Sequence, residues 1–164
     1  QGDSSLINIY KELGVSSKFE DDVLILKKQT NFTFPKHIKL DLIDSPDIAQ
    51  TIAVSCFGLG ISCDLFGLHT LKIKETDRLY ALKKELIKLG ADAYYTENSF
   101  HLKSSEKINQ NIIISTYEDH RMAMAFAPLS IITPLEIENP DVVNKSYPNF
   151  WNDLYSIGFQ HVKK

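Results

Sequence analysis

The sequence predicts an α+β domain in which duplicated helix-and-strand pieces share one core, and three observations point there. A helix that stops on an apolar residue plus glycine, then gives way to a strand or the chain end, returns at Gly14, Gly90 and Gly158. Glycine suits a helix end because it accepts the left-handed backbone without a Cβ clash. Charged landmarks repeat at nearly one offset: Asp47 stands 72 residues before Asp119, and Lys74 stands 71 before Lys145. Short alternating strands are interleaved with amphipathic helices, a mixture that packs as sheet-and-helix layers. With 43% hydrophobic content, residues 1–164 are expected to form one domain, burying about 70% of the surface the unfolded chain exposes.

Residues 4–13 place Leu6, Ile7, Ile9, Tyr10 and Leu13 at helical spacing before Gly14. Strands follow at 17–19 and 23–27, split by the acidic turn Glu20-Asp21-Asp22. Residues 38–43 alternate as a strand. Ser45-Pro46-Asp47 then starts a helix, serine as cap and proline at the first helical position, that runs to Gly58. A strand at 62–66 precedes a helix with KETDR (74–78) in its first turn and its end at Gly90. A hairpin pairs 91–95 with 100–103, and the polar stretch 104–111 is a loop. A buried strand at 112–115, a helix from Thr116 to Ser130, a short strand at 135–137 and a last helix over 148–157, capped by Ser146, complete the order.

Eighteen basic and 21 acidic residues are interspersed and leave a net charge of −3, so no single-sign field is available to hold a nucleic-acid backbone. The uncharged run 52–63 is shorter than the roughly 20 residues that span a bilayer, and no signal-peptide pattern opens the chain. A cytosolic protein with no nucleic-acid or membrane partner is expected. Cys56 and Cys63 lie in apolar sequence and are expected as buried free thiols. His37, His69, His101 and His161 share no ligand spacing, so no metal site is expected. The start at Gln1 rather than methionine leads us to expect a piece of a longer protein.

Helix starts concentrate the chemistry. Lys74 and Arg78 lie at one, His120 and Arg121 at a second, and Lys145 just before a third. Cations are misplaced there, since a helix N-terminus already carries about half a positive charge, and each costs about 0.3–1 kcal/mol. Two of them about 4 Å apart would repel by roughly 4 kcal/mol at an effective dielectric near 20. An anion is needed. Helix-start N–H groups and the arginine fork both suit carboxylate or phosphate, so one reading is a small, multiply anionic substrate. The other is that Glu75, Asp77, Glu118 and Asp119 neutralise the cations as solvated pairs worth under about 1 kcal/mol. Asp47 is explained by the helix dipole alone, or, with Glu75, as one of two proton carriers. Nearby cations lower a carboxylate pKa and burial raises it, so only an occupied, closed site would make either acid competent.

SPDIAQT (45–51), LKIKETDRL (71–79), TYEDHRMAMAF (116–126) and NKSYPNFW (144–151), in this order and spacing, resemble the C-terminal domain of the 5-enolpyruvylshikimate-3-phosphate synthases, shikimate-pathway enzymes inhibited by glyphosate. The resemblance covers essentially the whole chain. It implies an enolpyruvyl transferase-type inside-out α/β barrel domain (α-β prism) built from three βαβαββ repeats, one of two domains that close over the substrates. The N-terminal domain, with its share of both substrate sites, would lie outside this chain. It further implies transfer of the enolpyruvyl group of phosphoenolpyruvate to the 5-hydroxyl of shikimate 3-phosphate, through a tetrahedral intermediate, with phosphate released. No cofactor or metal is implied, and a monomer is. By position, Asp47 and Glu75 match the proton-transfer acids. Asp47, Thr70 and Lys74 match shikimate 3-phosphate contacts, Thr70 standing where some members carry asparagine. Arg78, His120, Arg121 and Lys145 match the phosphoenolpyruvate site. This part alone is expected to fold but not to turn over. The alternatives are a related transferase acting on UDP-N-acetylglucosamine, or a non-catalytic repeat-built interaction domain with its cations scattered over the surface.

Overall fold

The structure is a computed structural model that describes residues 2–160. A 3₁₀ turn, Gly2–Ser5, leads into the short helix α1, Leu6–Lys11. Strands β1, Val15–Glu20, and β2, Val23–Lys28, form an antiparallel hairpin with Phe19 opposite Leu24 and Ser17 opposite Leu26. Asp21 and Asp22 both take positive φ (46° and 64°), the two-residue turn whose twist matches that of the strands. Phe19, Leu24 and Leu26 are exposed on one face of this hairpin.

An uninterrupted βαβαββ unit follows: β3, His37–Asp41; α2, Ala49–Leu59; β4, Ser62–Phe66; α3, Arg78–Lys88; β5, Ala93–Tyr95; and β6, Ser99–Leu102. Its strands form one sheet in the order β3-β4-β6-β5, with β3 and β4 parallel and the other pairs antiparallel. A parallel pair needs a crossover, and α2 provides it. The last piece comprises β7, Ile112–Ile114; α4, His120–Phe126; β8, Leu135–Ile137; and α5, Phe150–Ser156, with β7 and β8 paired in parallel. The described residues thus hold one full unit, preceded by the αββ end of another and followed by the βαβα beginning of a third. Three-fold repetition is present as one complete and two partial copies, and among the described residues the sheets do not join into a closed barrel.

Helix α2 is apolar almost all round because it is packed against α3, α4 and β4. Its Ile52, Ala53, Cys56 and Phe57 meet Leu79, Leu82 and Leu86 of α3, Met122 and Phe126 of α4, and the inward residues Cys63, Leu65, Phe100 and Leu102 of the sheet in one buried cluster. Each large apolar side chain buried there contributes about 1.5–3 kcal/mol. A smaller cluster of Ala123, Ala127, Val143 and Phe150 ties α5 and the 3₁₀ turn Pro140–Lys145 to α4. Cys56 and Cys63 are free and buried, as expected. The neighbouring Cys56 thiol, and then burial, push the Cys63 thiol well above its ordinary range. No helix among the described residues is long and apolar enough to cross a membrane.

Several boundaries differ from the sequence expectation. Helix α3 starts at Arg78, with Lys74 extended (φ −94°, ψ −155°) and the Asp77 carboxylate capping it by accepting the Tyr80 N–H at 3.0 Å. Lys74 and Glu75 therefore stand in a loop ahead of the helix, not in its first turn. Ser45 occupies the cap position of the 3₁₀ turn Pro46–Ile48 but makes no capping bond, and its hydroxyl instead accepts from Ser5 Oγ at 3.2 Å. Ser146 does not cap α5, which begins after Asn149, because Pro148 disfavours helix at the residue before it. The helix expected to reach Ser130 is α-helical only to Phe126, where Pro128 removes an N–H and a 3₁₀ turn, Ala127–Ile131, takes over.

Candidate active site

Four loops leave the carboxyl ends of strands: β3 leads to Asp47, β4 to Lys74, Glu75 and Arg78, β7 to Asp119, His120 and Arg121, and β8 to Lys145. Repetition of one unit makes these loops equivalent, so the same end of each strand presents its charged residues. Three of the four meet around Arg78. Its side chain is only 2% exposed, yet it faces three carboxylates. Nε donates to Asp119 Oδ2 at 2.6 Å and Nη2 to Asp119 Oδ1 at 3.4 Å. Nη1 donates to Asp47 Oδ1 at 2.8 Å and Nη2 to Glu75 Oε2 at 2.7 Å. A guanidinium has five N–H donors, so a single Nη1 hydrogen remains free of these bonds.

The other cations join through the same acids. Lys74 Nζ lies 3.2 Å from Asp47 Oδ1. Arg121 Nη1 donates to the Asp47 backbone carbonyl at 3.1 Å and pairs with Asp3 Oδ1 at 3.5 Å. The Arg121 N–H donates to Asp119 Oδ1 at 2.8 Å, which makes Asp119 the cap of α4. His120 Nδ1 lies 3.9 Å from the same oxygen. The Glu75 carboxyl is held below the ordinary glutamate range, first by a hydrogen bond from its own backbone N–H and then by the charges of Arg78, His120 and Lys74, against an opposing push from partial burial. An open cavity of about 270 Å³ beside these groups is lined by Asp3, Ser45, Asp47 and Arg121 among others.

Asp47, Lys74, Glu75, Arg78, His120 and Arg121 are thus brought together, and the reading that required scattered cations loses its footing. Thr70 lies in the 3₁₀ turn His69–Ile73 just ahead of Lys74, its hydroxyl oxygen buried and without a hydrogen-bond partner. Lys145, expected in the same group, is not joined to it: it ends its turn exposed, its side chain making no hydrogen bond or ion pair among the described residues. The anion that the clustered cations demanded is present within the protein, as Asp47, Glu75, Asp119 and Asp3.

Sequence reasoning missed two groups. Asp119 was legible as a charge landmark and as one of four solvated acids that could neutralise the cations, but not as the cap of α4 or the buried partner of Arg78. Glu85, a fully buried carboxylate on α3, accepts the Ser115 N–H at 3.0 Å and the Tyr117 O–H at 2.7 Å and pairs with Lys88. It anchors the strand-to-helix loop in which Tyr117 and Glu118 both adopt left-handed backbone (φ 54° and 58°) just before Asp119. Only a glutamate within an otherwise apolar stripe, Leu82-Glu85-Leu86, signalled it. Two of the other histidines lie elsewhere: His37 and His101 flank Asp64 at 3.3 and 2.5 Å on the sheet face away from the core. His161 lies outside the described residues. Among the described residues no three His, Cys, Asp or Glu side chains are grouped to hold a metal ion.

Comparison with known proteins decides the lineage. The family model described as EPSP synthase (3-phosphoshikimate 1-carboxyvinyltransferase) matches residues 1–154. The chain belongs to the EPSP synthase family. A 3-phosphoshikimate 1-carboxyvinyltransferase of Bacteroides fragilis (strain YCH46) is 44% identical over 162 residues, covering 97% of this chain and 39% of the relative. That of Saccharolobus solfataricus is 34% identical over 158 residues, covering 95% and 37%. A solved EPSP synthase from Acinetobacter baumannii superposes with a TM-score of 0.78 over 98% of this chain and 40% of that one. At 21% identity, that likeness is one of fold. The EPSP synthase-family chain described here spans about two fifths of the length of the curated relatives it matches.

Proposed function

We propose that this chain acts as the C-terminal domain of a two-domain, cytoplasmic, monomeric enolpyruvyl transferase that moves the enolpyruvyl group of phosphoenolpyruvate to the 5-hydroxyl of shikimate 3-phosphate. The observation that supports this reading above others is the convergence of Lys74, Arg78 and Arg121 on Asp47 and Glu75 at the carboxyl ends of the strands. Cations in one place suit two phosphorylated substrates, and carboxylates among them suit proton transfer. In this reading Lys74, with Thr70 beside it, holds shikimate 3-phosphate, and Arg78, His120, Arg121 and Lys145 hold phosphoenolpyruvate.

The chemistry needs two proton positions. The 5-hydroxyl of shikimate 3-phosphate adds to C2 of phosphoenolpyruvate as one carboxylate, Asp47 or Glu75, removes the hydroxyl proton and the other acid protonates C3. The tetrahedral adduct then loses a C3 proton and expels phosphate, which restores the carbon–carbon double bond. No cofactor is required. A second domain closing over the site would exclude water and complete the substrate contacts.

Phosphate release by the full-length protein, supplied with phosphoenolpyruvate and either shikimate 3-phosphate or UDP-N-acetylglucosamine, tests the assignment. Turnover is expected with shikimate 3-phosphate only. Turnover with the UDP-sugar, or with neither acceptor, overturns it.

A further inference from the structure

Arg78 is bound on two edges that differ in kind. Its Nε–Nη2 edge is taken side-on by Asp119, which is 0% exposed, whereas its Nη1 and Nη2 ends meet Asp47 and Glu75, whose side chains are 35% and 47% exposed. Asp119 is held from three helices at once. Besides Arg78 of α3, it accepts the Arg121 N–H of α4 at 2.8 Å and the Gln50 amide of α2 at 3.5 Å. A carboxylate so enclosed cannot leave its arginine without remaining as a buried, unpaired charge. Asp47 and Glu75 can turn to water.

We infer that Asp119 is the positioning residue of the site: it fixes the Arg78 guanidinium and the start of α4 as one unit, and keeps Arg78 when an anionic substrate displaces Asp47 and Glu75 from the other edge. The displaced edge presents two parallel N–H directions, the geometry that a carboxylate or phosphate accepts in bidentate fashion. One binding event then does two things. It replaces exposed counter-ions by substrate, and it releases the Asp47 and Glu75 carboxylates from their bonds to Arg78. The identity of the anion as phosphoenolpyruvate rests on the function proposed above; the division of Arg78 into a permanent and an exchangeable edge does not.

Asp119→Asn in the full-length protein tests it. The amide oxygen can still cap α4, but its NH₂ confronts Arg78 Nε–H, so the guanidinium loses its fixed orientation. The expected result is a fall of about 100-fold in kcat/KM for phosphoenolpyruvate, expressed as a raised KM, with the KM for shikimate 3-phosphate unchanged. Asp77→Ala is the control, since it removes the carboxylate that caps α3 through the Tyr80 N–H and is expected to lower Tm while leaving both KM values alone. An Asp119→Asn protein with wild-type KM for phosphoenolpyruvate overturns the inference.

If Asp119→Asn fails to fold, the wild-type protein still decides. The Arg78 Nε–H resonance should be protected from solvent exchange in the free protein and unmoved on adding phosphoenolpyruvate, while the Glu75 and Asp47 carboxyl carbons shift. An Nε–H that exchanges freely, or moves with the carboxyl carbons, refutes the permanent edge. Turnover of the UDP-sugar by the wild-type protein would sink the functional reading, and the behaviour of this resonance would then decide the role of Asp119 by itself.

Discussion

Arg78 and Glu75 show how single residues divide the labour of the site. Arg78→Met would strand the fully buried Asp119 with only amide and backbone donors. Breaking a buried pair from one side costs about 3–5 kcal/mol, so urea denaturation of this chain should show a loss of that size. Glu75 behaves in the opposite way, because nearly half of its side chain is exposed. Its depressed pKa means that the folded state favours the carboxylate. That stabilisation is present above the ordinary glutamate value of about 4.3 and fades as the pH falls below it through the folded value. Glu75→Gln should therefore be less stable than wild type at neutral pH and converge with it in acid, as measured by denaturant midpoints across the range. In the full-length enzyme the same substitution should lower kcat far more than it raises either KM.

Among elements, the loop between β7 and α4 is the most constrained by what surrounds it. Two successive non-glycine residues in left-handed backbone, Tyr117 and Glu118, cost about 1–3 kcal/mol each and persist because Glu85 ties down Ser115 and Tyr117. Burial, and then the bond to Glu85, push the Tyr117 phenol above its ordinary range, so this hydroxyl stays a donor to Glu85 throughout the physiological range. Tyr117→Phe removes a bond to a charged acceptor and should cost about 1.5–3 kcal/mol, read by denaturation of this chain. Three helix ends were well read from sequence, because Gly14, Gly90 and Gly158 all take positive φ (84°, 98° and 103°), whereas the ends expected at Gly58 and Ser130 fall at Leu59, before a left-handed Gly60, and at Phe126. Helix starts were read less well. Lys74 and Glu75 have helical propensity, and nothing in their own sequence discloses that Asp77 rather than an earlier residue caps the helix.

At the scale of the whole molecule, the family, the repeated unit and the gathering of Lys74, Arg78 and Arg121 were legible, since motif order and a nearly constant offset survive in the linear sequence, whereas Lys145, expected among them, stands exposed and unpaired among the described residues. The pairing of Arg78 with Asp119, 41 residues away, was not, because it depends on how α3 and α4 pack about α2. The chain in isolation should unfold cooperatively, given its single main core, and should release no phosphate from phosphoenolpyruvate with shikimate 3-phosphate. Full turnover by this chain alone would refute the requirement for a closing domain. The hairpin at the start of the chain adds a practical consequence. Its Phe19, Leu24 and Leu26 form a greasy stripe on a ribbon whose second strand pairs, among the described residues, with the first strand only. Such surfaces invite sticking between copies. Concentrated preparations of this chain should therefore scatter light increasingly with concentration, and a lysine at Leu26 should clear them.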